Sequence, residues 1–208
     1  MPTPAMFAAQ DLAARRGNVV LWQGIAFALG EGAALVVKGA NGSGKTTLLR
    51  ILAGLTHAEH GTISWRGTAV SAFAQSMRDD LIYIGHAPAL KDEMTAQENL
   101  ASLVSLAGDD VAAQRVAVAL AAVRLAAQAD LPARVLSHGQ RRRVHLALLA
   151  MSTRMLWILD EPATALDADG LAWLESALAA HLARGGVAVL ATHAAIDVGT
   201  ARFTEIAL

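Results

Sequence analysis

The run Gly39-Ala40-Asn41-Gly42-Ser43-Gly44-Lys45-Thr46-Thr47 sets glycines ahead of a lysine and two hydroxyls. Its first eight residues satisfy G-x-x-x-x-G-K-[ST], and they lie between a strand-like and a helix-like run, the context that pattern requires. Glycines let a backbone curl until successive N–H groups face one point, and a helix start adds the positive end of its dipole. Such a loop cradles phosphate. Lys45 is then expected to bridge the β- and γ-phosphates of a nucleoside triphosphate, and Thr46 to offer its hydroxyl to Mg2+. Farther along, the apolar run Met155-Leu156-Trp157-Ile158-Leu159 ends in Asp160-Glu161-Pro162. That is an acidic pair at the C-terminal edge of a strand, where α/β sheets bind ligands. Asp160 suits Mg2+, directly or through water, and Glu161 suits a base that polarises the water attacking the γ-phosphate. Together these residues make a site for nucleoside triphosphate hydrolysis.

A second group lies in Leu136-Ser137-His138-Gly139-Gln140. Ser137 and Gln140 have the spacing of a capping box, and in isolation they are only a helix cap. With a hydroxyl and with Gly139 allowing close backbone approach, the same helix start is also an anion site suited to a γ-phosphate. Its distance in sequence from Lys45 puts it on a separate lobe. His193, which follows the apolar run Val187–Ala191, reads alone as a capping or core histidine. Arg141-Arg142-Arg143 has two readings, a solvated helix face or an added positive field at the phosphate site.

The elements that must position these residues change character along the chain. From Phe7 to about Val70 the signals are strands and turns. Ile25–Leu29, a Gly30-Glu31-Gly32 turn and Ala33–Val37 predict one hairpin, and Thr62–Trp65 with Arg66-Gly67 predicts another strand and turn. Lys45–Leu55 has helical spacing. A helical stretch from Thr95 to about Ala129 opens on Thr95-Ala96-Gln97-Glu98, a second capping box. Then helix and strand alternate: Gly139–Met151 helix, Met155–Leu159 strand, Leu171–Ala183 helix, Val187–Ala191 strand. Apolar runs without alternation fit a parallel sheet covered on both faces. The middle helices read as an insertion into one α/β domain.

Composition narrows the classes. At 208 residues the chain fits one domain, able to bury roughly 70% of its unfolded surface. Its 17 basic and 18 acidic residues nearly cancel, to a formal charge of -1, which argues against nucleic acid as a partner. The absence of cysteine excludes disulfides, thiolate metal sites and cysteine nucleophiles. The start Met1-Pro2-Thr3-Pro4 lacks the basic and apolar regions of a signal peptide, and charge interrupts every apolar tract before the roughly 20 residues of a membrane span. The 54% hydrophobic fraction reflects abundant alanine, a helix former.

Taken in order, the phosphate loop, "LSHGQ", "LDEP", "TALD" and "ATH" between Gly39 and His193 resemble the ATP-binding cassette superfamily. The resemblance implies a P-loop NTPase fold: an N-terminal antiparallel β subdomain and a parallel-sheet core, about 1–85 and 152–208, with an inserted α-helical subdomain, about 86–151. It implies ATP and Mg2+ as cofactors, with Gly39, Ala40, Asn41, Gly42, Ser43, Gly44, Lys45, Thr46 and Thr47 binding nucleotide. It also implies a head-to-tail dimer, each ATP held between Lys45 and Thr46 of one subunit and Ser137, Gly139 and Gln140 of the other. Asp167 would couple the two sites, and His193 would contact the γ-phosphate and help hold the attacking water. An integral membrane permease is the expected second partner, giving indirect membrane contact at the cytoplasmic face of a bacterial inner membrane.

Three positions depart from that pattern. His138 replaces a glycine, which is tolerable if backbone faces phosphate. Arg16 falls near the place of a base-stacking aromatic and either stacks through its guanidinium plane or faces solvent. His86 occupies the loop where most cassettes carry glutamine. "YIGHAPALKDEMTAQENL", "LSHGQRRRVHLALL" and "LWILDEPATALD" resemble the ATP-binding subunits of haem-exporter type transporters of bacterial cytochrome c biogenesis. The chain ends fifteen residues after His193, and on the resemblance no regulatory domain is expected. As base, metal ligand, haem ligand or packing residue, His86 finds partners at suitable spacing for none of the ligand roles; the remaining reading is a polar sensor coupling nucleotide site to permease. The competing classes are the ATPase of another small-substrate exporter, a soluble non-transport cassette ATPase, and a P-loop small-molecule kinase, in which Ser137–Gln140 and His193 would have no role.

Overall fold

The computed structural model describes residues 5–108, 111–197 and 202–208. Along the chain come β1 (Phe7–Arg16), β2 (Val19–Leu29), β3 (Ala33–Lys38), α1 (Lys45–Leu52), β4 (His60–Trp65), β5 (Thr68–Val70), α2 (Gln75–Arg78) and β6 (Leu81–Ile84). They are followed by α3 (Ala96–Leu106), α4 (Ala113–Ala122), two short 3₁₀ turns, α5 (His138–Met151), β7 (Leu156–Asp160), α6 (Ala168–Ala183), β8 (Val187–Ala191) and β9 (Arg202–Ala207). The strands form two sheets: an antiparallel one in the order β2-β1-β4-β5, and a five-stranded one in the order β6-β7-β8-β3-β9 whose pairings are all parallel. This is an α/β fold with a separate antiparallel sheet.

One expectation fails here. Ile25–Leu29 and Ala33–Val37 are not a hairpin, because β2 pairs with β1 while β3 pairs with β8 and β9. The Gly30–Gly32 turn steps from one sheet to the other. The reason is burial: Ala34, Leu35 and Val37 are all sealed in the core, which a strand achieves only when both its faces are covered.

Alternate residues of the parallel sheet serve two different cores, as the two-residue period of a strand requires. Leu35, Val37, Leu156, Ile158, Val187 and Val189 point to one side, where Leu48, Leu49 and Leu52 of α1 join Phe7, Leu12 and Trp65 of the antiparallel sheet. Ala34, Ile82, Ile84, Trp157, Leu159, Ala188 and Leu190 point to the other, against Leu100 and Val104 of α3, Leu120 of α4, Val144 and Leu148 of α5, and Leu174 and Leu178 of α6. Helix α5 is buried along most of its length, with Val144 to Leu149 and Met151 all inside. It is the axis about which α3, α4 and α6 pack. Both capping boxes are formed, Thr95 with Glu98 and Ser137 with Gln140, and α6 begins three residues before the sequence estimate because Asp167 caps it through Gly170 N–H.

Candidate active site

Four neighbouring strands of the parallel sheet each end in a candidate residue. In spatial order, β6 leads to His86, β7 ends in Asp160 before Glu161, β8 leads to His193, and β3 leads into the Gly39–Lys45 loop. Three of those ends, with Arg16 and Leu21, line a pocket of ≈ 390 Å³ that includes Asn41, Gly42, Gly44, Lys45, Thr46, Thr47, His86, Asp160 and Glu161. That volume lies in the range of small-molecule sites, about 300–1,000 Å³.

The loop is built to receive an anion. Gly44 is the N-cap of α1 with φ of 100°, a left-handed conformation that suits glycine, and a Cβ there would lie 2.8 Å from the Trp22 indole nitrogen. No side chain caps α1, and no acidic residue stands in its first turn. The backbone N–H groups that open this helix are therefore left to a ligand, where the helix dipole favours negative charge. The Ser43 hydroxyl is buried and without a hydrogen-bond partner among the described residues. An orphaned donor inside a glycine loop fits a phosphate oxygen.

Lys45, buried despite its charge, donates from Nζ to Gly39 O at 2.7 Å and Ala40 O at 3.1 Å, and lies 3.0 Å from His193 Nε2. An ammonium only donates, so His193 accepts on Nε2. The same nitrogen stands 3.5 Å from Glu161 Oε1. Thr46 Oγ1 donates to Asp160 Oδ2 at 2.7 Å, and Asp160 is 1% exposed. These are two hard oxygens side by side beneath the phosphate loop. Mg2+ keeps several waters and takes one or two protein oxygens plus substrate phosphates, and Thr46 with Asp160 fits that donor set.

Glu161 itself has φ of 48°, a conformation that costs a non-glycine residue about 1–3 kcal/mol and persists only where its surroundings enforce it. They do: its N–H donates to Ala191 O at 2.8 Å, and its carbonyl accepts from Arg142 Nη2 at 2.8 Å and Thr164 N at 3.2 Å. The carboxylate-bearing residue is thereby tied to β8 and to α5.

Ser137, Gly139 and Gln140 do not line this pocket. They open α5, where the Ser137 hydroxyl accepts from Gln140 N at 3.2 Å and the Gln140 side chain accepts from Ser137 N at 2.9 Å. A Cβ on Gly139 would come within 2.6 Å of Ala165 O, so this glycine permits close passage of the loop that leads to Asp167. Asp167 accepts from Gly170 N–H and from Arg143, and those contacts, the backbone one foremost, hold its carboxyl below the usual range. His138 is exposed beside them.

The arginine run is not a solvated helix face, whereas its second member does place positive charge beside Asp160 and Glu161. Arg141 donates to Asp92 Oδ1 at 2.6 Å and to Ala133 O at 2.9 Å, Arg143 bonds Asp167, and Arg142 is 1% exposed, surrounded by backbone carbonyls. Arg142, Arg143 and Leu21 are the site neighbours that the motifs did not single out. Three consecutive basic residues signalled charge, and nothing in the sequence marked Leu21. Arg16, the last residue of β1, is exposed and faces the pocket.

With this geometry in place, comparison with known proteins is informative. Residues 22–164 match the model of the family described as ABC transporter. The chain is 50% identical over 192 residues to the cytochrome c biogenesis ATP-binding export protein CcmA of Aromatoleum aromaticum, covering 92% of this chain and 89% of that one. It is 41% identical to the protein of the same name from Nitrosomonas europaea, over 100% of this chain and 98% of that one. Among solved structures, a putative ABC transporter ATP-binding protein from Pyrococcus furiosus superposes with a TM-score of 0.80 at 21% identity, covering 96% of both chains. A dimeric ATP-binding cassette in a post-hydrolysis state, bound to ADP and Pi, superposes at 0.77 with 20% identity, covering 91% of this chain and 88% of that one. At such identities the last two speak to fold alone.

Proposed function

This chain belongs to the ABC transporter family, within it to the cytochrome c biogenesis ATP-binding export proteins, and on that premise we propose how its site performs the task. It is the ATP-hydrolysing subunit of an export system for c-type cytochrome biogenesis, and haem handling is the task we assign to that system. The observation that carries the mechanism is the convergence of Lys45, Thr46, Asp160, Glu161 and His193 at adjacent strand ends.

In this mechanism the triphosphate lies along the Gly39–Thr47 loop, its charge met by backbone N–H groups, the α1 dipole and Lys45. Thr46 and Asp160 would hold Mg2+, and that ion would supply charge neutralisation for the triphosphate. Glu161 accepts a proton from water as the water oxygen bonds to the γ-phosphorus and the bond to the β–γ bridging oxygen breaks, giving ADP and inorganic phosphate. His193, between Lys45 and Glu161, orients that water and the γ-phosphate. Arg16 and Leu21 line the same pocket, and this reading sets the base against them.

Ser137, Gly139 and Gln140 act on the nucleotide of a second copy, arranged head to tail. Asp167 couples the two sites, and residues 86–151 form the subdomain whose motion is transmitted. No helix among the described residues is long and apolar enough to cross a membrane. The permease is a separate subunit in this reading, and the protein sits at the cytoplasmic face of the inner membrane through it. A groove of ≈ 700 Å³ beneath the His86 loop supports this docking. Leu55, Tyr83, Ala87, Leu103 and Leu106 line it, and Leu106 is 83% exposed. His86 stands between groove and pocket as the sensor.

The test is Glu161→Gln. General bases contribute roughly 10²–10⁴-fold, so hydrolysis should fall by at least about 10²-fold while ATP binding persists, and size-exclusion chromatography with ATP should show a dimer. A variant that stays monomeric at saturating ATP rules out the sandwich. Failure of the wild-type chain to co-purify from membranes with a multi-span protein removes the permease.

A further inference from the structure

Arg142 is the least explained charge in the molecule. It is a guanidinium 1% exposed, and among the described residues its hydrogen bonds go to backbone carbonyls and not to a carboxylate side chain. Burying an ion costs heavily unless its hydrogen bonds are met. Here they are met completely. Nε donates to Pro162 O at 3.3 Å, Nη1 to Gly85 O at 2.8 Å and His86 O at 3.2 Å, and Nη2 to Asp160 O and Glu161 O at 2.8 Å each. A guanidinium has five N–H donors in a fixed planar fork, and five carbonyls receive them.

Those carbonyls belong to two segments far apart in sequence. Gly85 and His86 follow β6, Asp160 to Pro162 follow β7, and the arginine comes from the second turn of α5. Since Glu161 holds φ of 48°, its carbonyl and those of its neighbours turn inward toward α5, where Arg142 caps them. The neighbouring arginines extend the connection, Arg141 to Asp92 and Arg143 to Asp167.

We propose that Arg142 is a positioning residue that clamps the His86 loop, the start of α5 and the Glu161 backbone into one unit, so that displacement of α5 or of the His86 loop repositions the Glu161 carboxylate. This rests on the reading of Glu161 as the base. It adds that the geometry of Glu161 is set by the helix that also carries Ser137 and Gly139, through backbone contacts and without any group touching nucleotide. Lysine has three donors and glutamine two, so neither can hold all five carbonyls.

The experiment compares wild type, Glu161→Gln, Arg142→Lys and Arg142→Gln in the full-length chain, measuring ATP affinity by calorimetry and steady-state kcat and KM. Loss of turnover in Glu161→Gln establishes the underlying reading; without it that reading fails, whatever Arg142 does. Given it, both Arg142 variants should bind ATP within about threefold of wild type, the phosphate loop being untouched, and lose at least tenfold in kcat with KM little changed. Wild-type kcat in a folded Arg142→Lys or Arg142→Gln protein overturns the clamp, as does a loss confined to KM. Hydrogen–deuterium exchange on the wild-type chain supplies a readout independent of whether the variants fold. Peptides spanning residues 84–88 and 160–165 should gain protection together on ATP binding, and independent responses of the two overturn the proposal.

Discussion

His181 should make this protein lose stability on mild acidification, by an amount the structure sets. The ring is fully buried, stacked on Trp157 at 3.9 Å with an interplanar angle of 13°. Nε2–H donates to Val187 O at 3.0 Å, and Nδ1 accepts from Arg184 Nη2 at 3.0 Å. A second ring proton would have to sit on Nδ1, facing the guanidinium. Burial, assisted by Arg184, pushes the pKa down from 6.5 to about 4, against the opposing pull of the Val187 carbonyl. The folded value is depressed, so the unfolded chain binds more protons: this stability is complete above about pH 6.5 and is lost as pH falls through 4. At 1.36 kcal/mol per pKa unit, one such histidine forfeits about 2 kcal/mol by pH 5 and about 3 below pH 4. Urea denaturation followed by tryptophan fluorescence at pH 8 and pH 5 measures it, with His181→Phe as the comparison because it keeps a ring on Trp157 and removes the titration. At pH 8 the variant should be less stable by about 1–2 kcal/mol, since Val187 O and Arg184 lose a partner. By pH 5 that gap should shrink by about 2 kcal/mol. A gap that is the same at both pH values refutes the reasoning. His145, also held near 4 by burial and by Arg142, supplies a parallel loss that persists in the variant.

Two further outcomes follow from single side chains. Asn99, buried, accepts from Lys91 N at 2.8 Å and donates to Lys91 O, Met94 O and Thr95 O at 3.0 Å each; Asn99→Leu should cost about 2–3 kcal/mol, and trypsin should cleave after Lys91 faster than in wild type. Gly139→Ala would drive a methyl to 2.6 Å from Ala165 O and displace the start of α5 from the loop before Asp167. ATP affinity of the single chain should hold, while the ATP-dependent dimer of a Glu161→Gln background, followed by size-exclusion chromatography, should weaken by at least tenfold.

What the sequence disclosed is what local chemistry determines. The glycine loop before Lys45, the acidic pair ending β7 and both capping boxes are legible because each acts within a few residues. The Gly30–Gly32 turn is different. The same turn serves a hairpin or a step between sheets, and the choice belongs to β8 and β9, more than 140 residues away in the chain. The Arg141–Arg143 run is illegible for a geometric reason. Successive helical residues point about 100° apart, so a run of like charge cannot say which member turns inward, and only the placement of α5 against β6 and β7 selects Arg142. Leu21 contributes an apolar side chain to the pocket, and apolar residues in strands are too common to signal a site.

The contacts of Lys45 bear on how the proposed mechanism engages phosphate. An ammonium has three donors, and Gly39 O, Ala40 O and His193 Nε2 occupy all of them. The lysine that is to meet phosphate thus also braces its own loop. A phosphate oxygen must nevertheless take a donor from one of the three. The two carbonyl contacts lie within the loop and hold its curl; the contact to His193, a half-exposed side chain on another strand end, is the one that can be exchanged without uncurling it. Once Lys45 turns to phosphate, His193 Nε2 is left without its donor 3.5 Å from Glu161, in the place where the proposed mechanism needs a group to align water. Substrate binding and preparation of the base are then a single exchange at Lys45, and the strand order β6-β7-β8-β3 allows it by setting the loop, His193 and Glu161 at consecutive edges.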